Sequence, residues 1–197
     1  RQSLLSKAGL SKVSAGFFAL WLIGLGVSIF VVSRVPDTGW RPLVTEHAPS
    51  PRHGAMVVYD SDNDKAILFG GTIESSEGIW TQTNDTWEWN GEDWTQLNPT
   101  QSPPARASGA MAYDPKRKIV ILFGGNDTLK RSLQDTWIWD GQNWTEASAC
   151  ATCYPPSARA CHNMFYSTVL EKVIVYGGCN GNQVFYNDTW AWNGESW

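Results

Sequence analysis

The chain has 197 residues and a formal net charge of −4, with 17% charged residues and 13% aromatic residues. Its length is sufficient for one domain of ordinary size with a hydrophobic core. The acidic balance and the lack of an extended Lys/Arg run in residues 40–197 exclude the basic class of nucleic-acid-binding proteins, so no nucleic acid partner is expected.

The first distinctive segment along the chain, residues 13–33, contains no charged side chain. As a helix it is long enough to span the roughly 30 Å hydrocarbon core of a membrane. It is preceded by three cations, Arg1, Lys7 and Lys12. The positive-inside rule therefore places residues 1–12 in the cytoplasm and the rest of the chain outside. The sequence predicts a single-pass signal anchor in the cell membrane.

A secretory signal peptide is the alternative interpretation of the same segment. Signal peptides have a shorter apolar region and end at a small-residue cleavage site, for which Val31 and Ser33 would qualify. The mature chain would then be secreted. Both interpretations place residues 34–39, a linker, and residues 40–197 on the extracytoplasmic side.

Residues 40–197 contain three copies of one tryptophan-rich pattern, and these copies hold nine of the twelve tryptophans. A spacing of about 50 residues between copies is typical of repeat arrays and propellers. Each copy contains a Trp-x-Trp ridge, in which both side chains share one face of a strand. These ridges are Trp87 and Trp89, Trp137 and Trp139, and Trp190 and Trp192.

Each copy predicts four antiparallel strands, called A to D here. Strand A begins at an arginine, and strand B is a short apolar run that ends in two glycines, as in residues 119–125. Strand C contains the ridge, and an Asn-Gly or Asp-Gly hairpin signal precedes strand D. The repeats cover residues 51–98, 104–147 and 156–197. Trp40 opens a further strand of the D type, so we expect the set of blades to be incomplete.

The pattern resembles the kelch repeat and the central-domain propeller of the galactose-oxidase group. The resemblance lies in Leu-Phe-Gly-Gly at 68–71 and 122–125, Val-Tyr-Gly-Gly at 175–178, and a Tyr-Asp pair after strand A in the first two units. It implies an all-β fold, a partial β-propeller of about three four-stranded kelch-type blades, preceded by one N-terminal transmembrane helix. Kelch propellers usually close with six or seven blades, so the sequence is expected to be a fragment of a larger propeller. If it is complete, chains would have to self-associate, or the missing blades would have to come from elsewhere.

All four cysteines lie in the third unit. An even cysteine count in an exported chain predicts disulfides. Pairing strands A and B of this unit places Cys161 beside Cys179, which predicts one bridge, and Cys150 could pair with Cys153. A zinc site is the alternative, but the spacing of the cysteines matches no zinc module. No metal and no cofactor are therefore predicted.

An arginine opens strand A in every unit, at Arg52, Arg106 and Arg159. Under a structural interpretation, the arginines bond to backbone or to the aspartate that precedes strand C, namely Asp85, Asp135 or Asp188. Under a functional interpretation, they form a ring of cations at the mouth of a central channel and contact an anionic ligand.

No catalytic residue is predicted, because no nucleophile motif or phosphate loop is present and the three histidines lie at non-equivalent positions. The favoured function is a non-enzymatic binding module for a protein or glycan ligand, acting through its variable loops. These loops share one end of the propeller, facing away from the membrane: residues 72–83, 126–134, 147–156 and 179–186. The alternatives are a sugar-modifying enzyme with its site at the channel mouth and a structural surface array without a ligand.

Overall fold

The structure is a computed structural model that describes Gly39 and residues 42–147, 155–181 and 184–197. Contacts between Cα atoms divide the chain into two units, Arg1–Leu43 and Val44–Trp197. Among the described residues, no helix has the length and apolar character needed to cross a membrane. The predicted span 13–33 and its flank 1–12 lie outside the described residues, as does most of the linker 34–39.

The described residues form three antiparallel sheets, each built from strands that are consecutive in the chain. The first sheet contains β1 (Arg52–His53), β2 (Met56–Asp60), β3 (Lys65–Glu74), β4 (Trp80–Trp89) and β5 (Trp94–Leu97). The second contains β6 (Ala110–Asp114), β7 (Ile119–Phe123), β8 (Thr136–Trp139) and β9 (Trp144–Glu146). The third contains β10 (Asn163–Ser167), β11 (Lys172–Tyr176) and β12 (Thr189–Trp192). The predicted all-β fold is confirmed, although Trp197, expected to open a fourth strand in the third sheet, lies outside any strand.

The turns between the predicted strands C and D follow β4, β8 and β12, and each is formed by an Asn-Gly or Asp-Gly pair. The glycine has a φ between 95° and 106° in all three turns, a conformation that glycine adopts without steric cost. In the first turn Asn90 Oδ1 accepts hydrogen bonds from the backbone N–H groups of Glu92 and Asp93, both at 2.9 Å. Asp140 and Asn193 accept the equivalent bonds in the other two turns. This end of the blades is therefore short and uniform, as predicted.

Residues 72–83, predicted as a variable loop, form instead the outer half of a long β-hairpin. Strands β3 and β4 continue past the paired glycines, where a β-bulge shifts the register, and Glu74 pairs with Trp80 at the far end. The hydroxyl oxygen of Ser75 accepts two backbone N–H bonds and closes the turn. The repeat could not predict this hairpin, because the other two units have shorter and unrelated segments here.

The strand predicted as strand A, which is β2, β6 or β10, lies next to its counterpart in the neighbouring blade. β6 contacts β2 on one side and β10 on the other, so these strands form the inner edge of the blade array. The side chains of Met56, Met111 and Tyr113 are buried in one cluster that joins the first two blades. A second cluster, which includes Ala112 and Val173, joins the second and third blades.

Trp144, which opens β9, is inserted between the first and second blades. Trp144 is fully buried, and its ring centroid lies 5.2 Å from that of Phe69 in the preceding blade. Its Nε1–H donates to Oγ1 of Thr86, also in the preceding blade, at 3.0 Å. The indole therefore contributes both apolar burial and a buried hydrogen bond across the interface.

The same arrangement recurs one blade later. Trp197 lies 5.1 Å from Phe123, measured between ring centroids, and its Nε1–H donates to Oγ1 of Thr136 at 2.9 Å. We refer to this set, a tryptophan that meets an aromatic ring and a threonine hydroxyl of the preceding blade, as the inter-blade tryptophan contact. The contact therefore occurs at both interfaces between the described blades.

His162 is buried between the second and third blades without a hydrogen-bond partner for either ring nitrogen among the described residues. The ring meets Phe123 edge-on at 5.5 Å between centroids. The pKa of His162 is lowered to about 4, mainly by burial and in addition by the positive charge of Arg159, while the backbone of Phe123 opposes the shift. The interface thus holds a neutral imidazole.

We expect the domain to lose stability between pH 7 and pH 5 because of His162. Its pKa in the folded state lies below the ordinary value of 6.5, so the unfolded chain binds this proton more readily as the pH falls toward 4. The free energy of unfolding should therefore fall by about 2 kcal/mol between pH 7 and pH 5. Urea unfolding followed by tryptophan fluorescence measures this change.

The variant His162→Leu should remove most of that pH dependence. His47→Gln is the control. His47 is exposed and its hydrogen bond to Asp93 raises its pKa, so protonation of His47 does not destabilise the domain. If His162→Leu loses as much stability at pH 5 as the wild-type protein does, the assignment to His162 is wrong.

Candidate functional site

Each repeat arginine is held by the aspartate that precedes strand C of its own blade. In the second blade, Arg106 Nη1 and Nη2 donate to Oδ1 and Oδ2 of Asp135 at 2.6 and 2.7 Å. The same guanidinium donates to the backbone carbonyls of Gly124 at 3.2 Å and Pro104 at 3.0 Å. Equivalent bidentate pairs join Arg52 to Asp85 and Arg159 to Asp188.

The aspartate also links the arginine to the tryptophan ridge. Asp135 Oδ2 accepts the Nε1–H of Trp137 at 2.7 Å, and the other two blades repeat this bond. In the third blade, the Arg159 guanidinium lowers the pKa of Asp188 to about 2, and the bond from Trp190 contributes to the shift. These carboxylates are therefore ionised, and the arginine, the aspartate and the ridge form one unit within the blade.

The structure corrects the interpretation of these arginines as contacts for an anionic ligand at a channel mouth. The side chains of Arg106 and Arg159 are 0% exposed, and that of Arg52 is 7% exposed. Their donors are directed at carboxylates and carbonyls of the blade itself. The recurrent arginines thus belong to the scaffold, as the structural interpretation expected.

The two cysteines that the structure describes, Cys161 and Cys179, are free thiols. The hairpin register agrees with the prediction, since Tyr166 pairs with Val173. However, Cys179 forms an isolated antiparallel β-bridge with Ala160, and Cys161 has a φ of 56°, which is not an extended-strand conformation. The predicted disulfide between them is not formed. The other predicted pair, Cys150 and Cys153, lies outside the described residues.

A groove of about 680 Å³ lies where the three variable segments meet. The first blade contributes the long hairpin with Trp80, the second contributes Lys130, and the third contributes Gly181. A Cβ atom built on Gly181 would lie 3.3 Å from the Lys130 carbonyl oxygen, so the second and third segments are in close contact. The expectation that these segments share one end of the blades is therefore met for the described residues.

The groove wall from the first blade presents an aromatic surface. β1 pairs with β3 through His53 and Thr72, and this pairing brings the His53 ring to 5.3 Å from the Trp80 ring, at an interplanar angle of 62°. Trp80 is 58% exposed, which is unusual for so large an apolar side chain. Beside it, the buried Oε1 atom of Gln82 has no hydrogen-bond partner among the described residues.

The opposite wall is more polar and carries a cation. Lys130 follows the Asp127 carboxylate, which accepts backbone N–H bonds from Leu129 and Arg131 and a side-chain bond from Arg131. These bonds hold the pKa of Asp127 below its ordinary value although partial burial opposes the shift. The Asp127 charge is thus balanced by Arg131, whereas Lys130 lines the groove. The groove can therefore offer aromatic contact and a positive charge.

The histidines of the described residues do not converge. His47 is exposed and bonds to Asp93 at 2.8 Å, His53 contacts Trp80 edge-on, and His162 lies between two blades. Glu46, His47 and Asp93 are close enough to share a metal ion, but His47 and Asp93 already satisfy each other at the surface.

Sequence reasoning missed Trp80 and Gln82 as candidate binding residues. Trp80 is one of three tryptophans outside the repeated copies, and it lies in a segment without a counterpart in the other blades. The available signal for a binding residue was a tryptophan at a position that the repeat does not require. The pairing with His53, in contrast, depends on how far β3 and β4 extend, which the sequence pattern did not indicate.

The sheets, the inner strands and the inter-blade contacts define a set of kelch-type β-propeller blades. The sequence matches the family described as the KLHDC2/KLHL20/DRC7 Kelch-repeats domain over residues 28–197, and the chain belongs to this kelch-repeat family. The family is one of kelch-repeat β-propellers.

Among solved structures, the structure of YjhT is similar, with a TM-score of 0.54 and 19% sequence identity. The match covers 71% of this chain and 42% of the YjhT chain, so it spans less than half of that protein. At this identity the likeness shows the fold alone. A comparison with curated proteins gave no match.

Proposed function

We propose that this kelch-repeat protein is a non-enzymatic interaction module that binds a segment of a partner protein in the groove of Trp80, His53 and Lys130. The single observation that carries the proposal is the exposed Trp80 ring, which the blade repeat does not require and which faces a groove shared by three blades. Exposed tryptophans in pockets are frequent hot spots of protein interfaces.

The chemistry of the groove suits a peptide segment. An apolar side chain of the partner would pack on the Trp80 ring, which is more than half exposed. An acidic side chain would meet Lys130. A groove of about 680 Å³ lies within the range of well-formed binding sites.

We further propose that residues 13–33 anchor the protein in the cell membrane and that the blades lie on the extracytoplasmic side. The support is the uncharged stretch of 21 residues and the cations that precede it. An epitope inserted into the turn at residues 75–79 tests this placement. Antibody should reach the epitope on intact cells, and labelling that requires permeabilised cells would contradict it.

The variant Trp80→Ala should weaken ligand binding by about tenfold or more, because tryptophan hot spots commonly contribute at least this much. Peptides selected from a displayed random library on the full wild-type chain serve as probes, and calorimetry gives their affinities. The variant should unfold at the same temperature as the wild-type protein, since the Trp80 side chain is more than half exposed.

The variant Leu170→Ala is the matched control. Leu170 is 58% exposed, as Trp80 is, but it lies in the turn between β10 and β11 at the opposite end of the blades. Its removal should leave the affinities unchanged. If the selected peptides lose affinity with Leu170→Ala and keep it with Trp80→Ala, the groove is not the binding site.

A further inference from the structure

The slot that His162 occupies between the second and third blades is filled by a methionine between the first and second. A Cβ atom built on Gly124 would lie 3.2 Å from Cε1 of His162. A Cβ atom built on the equivalent glycine of the first blade, Gly70, would lie 3.3 Å from Cε of Met56. The imidazole therefore lies where the end of a methionine side chain lies at the other interface, so packing alone does not require an ionisable ring there.

The slot is filled from opposite sides at the two interfaces. At the first interface the following blade supplies Gly109, and a Cβ atom built on it would lie 2.8 Å from the sulfur of Met56. At the second interface the preceding blade supplies Ala110, the small equivalent of Met56, and the following blade supplies His162, the large equivalent of Gly109. The two slots are thus filled by residues of different chemistry, and only the second slot can acquire a charge.

The charged groups around His162 are already paired. In its own blade these are Arg159, whose side chain is 0% exposed, and Asp188, which forms the bidentate pair with it. In the second blade they are Arg106 and Asp135, which pair with each other beside the glycine that contacts the ring. No described carboxylate bonds to the ring, whose nitrogens both lack a partner. A protonated ring would be a buried cation beside Arg159, and it fits only if the blades separate enough to admit water.

The His162 interface is connected to the groove through Arg159. The Arg159 guanidinium lies over the Tyr186 ring, 4.3 Å from its centroid. Tyr186 lines a depression of about 480 Å³ between the second and third blades, which shares Lys130 and Gly181 with the groove. Separation of these two blades would therefore displace the Lys130 wall of the groove from the Gly181 wall.

We propose that His162 is an acid-sensitive switch, whose protonation opens the interface between the second and third blades and releases the ligand from the groove. The regulation of ligand binding rests on the function proposed for that groove, whereas the opening of the interface does not. Since Met56 fills the slot between the first and second blades, opening is confined to the second interface. The ligand is bound at neutral pH and released at acidic pH.

Proton linkage determines the size of the effect. The pKa of His162 is about 4 in the closed interface, and a ring that reaches water in the open interface returns to its ordinary value of 6.5. The open form therefore binds the proton more readily, and acidification favours it. The equilibrium constant for opening should rise about twentyfold between pH 7 and pH 5.

Hydrogen exchange of matched backbone amides, measured on the full chain in mild detergent, tests the opening. Three amides donate across the second interface and three equivalent amides donate across the first, namely Gly125, Arg159 and Cys161 against Gly71, Arg106 and Ser108. Between pH 7 and pH 5 the protection factors of the first set should fall about twentyfold, and those of the second set should change little. Equal losses in the two sets, or no loss in either, overturn the switch.

The variant His162→Met is the control, because a methionine already fills the equivalent slot at the first interface. In this variant the amides of the second interface should be protected equally at pH 7 and pH 5. If the variant does not fold, His162→Leu replaces it. A second interface that still loses protection on acidification without the imidazole overturns the assignment to His162.

Calorimetry with one selected peptide tests the release. Between pH 7 and pH 5 its dissociation constant should rise more for the wild-type chain than for His162→Met, by up to about twentyfold, because only the closed form binds. Titration of the peptide itself affects both proteins equally, so equal changes overturn the regulation. At pH 7, Trp80→Ala separates the two claims. A peptide that ignores this substitution refutes the function proposed for the groove, and amide exchange then still decides whether His162 opens the interface.

Discussion

Replacing Trp144 with alanine is expected to lower the free energy of unfolding by about 3–5 kcal/mol, the range for truncating a large aromatic side chain in a packed core. Trp144 is fully buried between two blades, and the substitution leaves a cavity beside Phe69. It also leaves the Thr86 hydroxyl without the indole N–H that it accepts. Urea unfolding at low protein concentration measures the loss.

Trp94→Ala is the matched control for this substitution. Trp94 occupies the same position in the first blade, and its ring centroid lies 5.5 Å from that of Trp89, but it is only partly buried among the described residues. Its loss should destabilise the chain much less than Trp144→Ala does. Equal losses at the two positions would mean that inter-blade packing is not what Trp144 contributes.

Replacing Arg106 with methionine is expected to destabilise the domain by about 3–5 kcal/mol, because it leaves a carboxylate in the blade without its counter-charge. Asp135 would lose both charge-assisted bonds, which are 2.6 and 2.7 Å long, and the Gly124 and Pro104 carbonyls would lose their side-chain donor. Arg106→Lys should recover only part of the loss, since an ammonium group cannot form the bidentate pair.

The ion pair of Arg131 with Asp127 is the control that separates the effect of burying the arginine from the effect of pairing it. Arg131 also donates twice to one aspartate, Asp127, but its side chain is 72% exposed. Arg131→Met should therefore cost less than about 1 kcal/mol. In a double-mutant cycle, Arg106→Met with Asp135→Leu should be less destabilising than the sum of the single substitutions. Additive losses would contradict a direct pair.

The parts of the fold that repeat were predictable from the sequence. An arginine, an aspartate, a tryptophan ridge and an Asn-Gly or Asp-Gly turn recur in each unit, and each recurrence corresponds to the same contact in the structure. The pairing of Arg106 with Asp135 could be predicted because any residue that all blades share has to serve the blade. The position of a residue within the repeat was therefore sufficient to predict its contact.

The parts that do not repeat could not be predicted in the same way. Nothing in residues 72–83 indicated that β3 and β4 would extend and bring Trp80 against His53. The burial of His162 without a partner depends on the packing of Phe123 from another blade. For Cys161 and Cys179 the predicted register was correct, but Cys161 departs from extended backbone with a φ of 56°, and both thiols are free.

The central claim is that the blades form a scaffold and that ligand binding occurs in the groove at their variable end. Hydrogen–deuterium exchange of the full chain, with and without a selected peptide, tests it most directly. We predict slower exchange of backbone amides in residues 72–82 and 126–133 when the peptide is bound. Protection confined to the turns at the opposite end, residues 60–65, 114–119 and 167–172, would contradict the account.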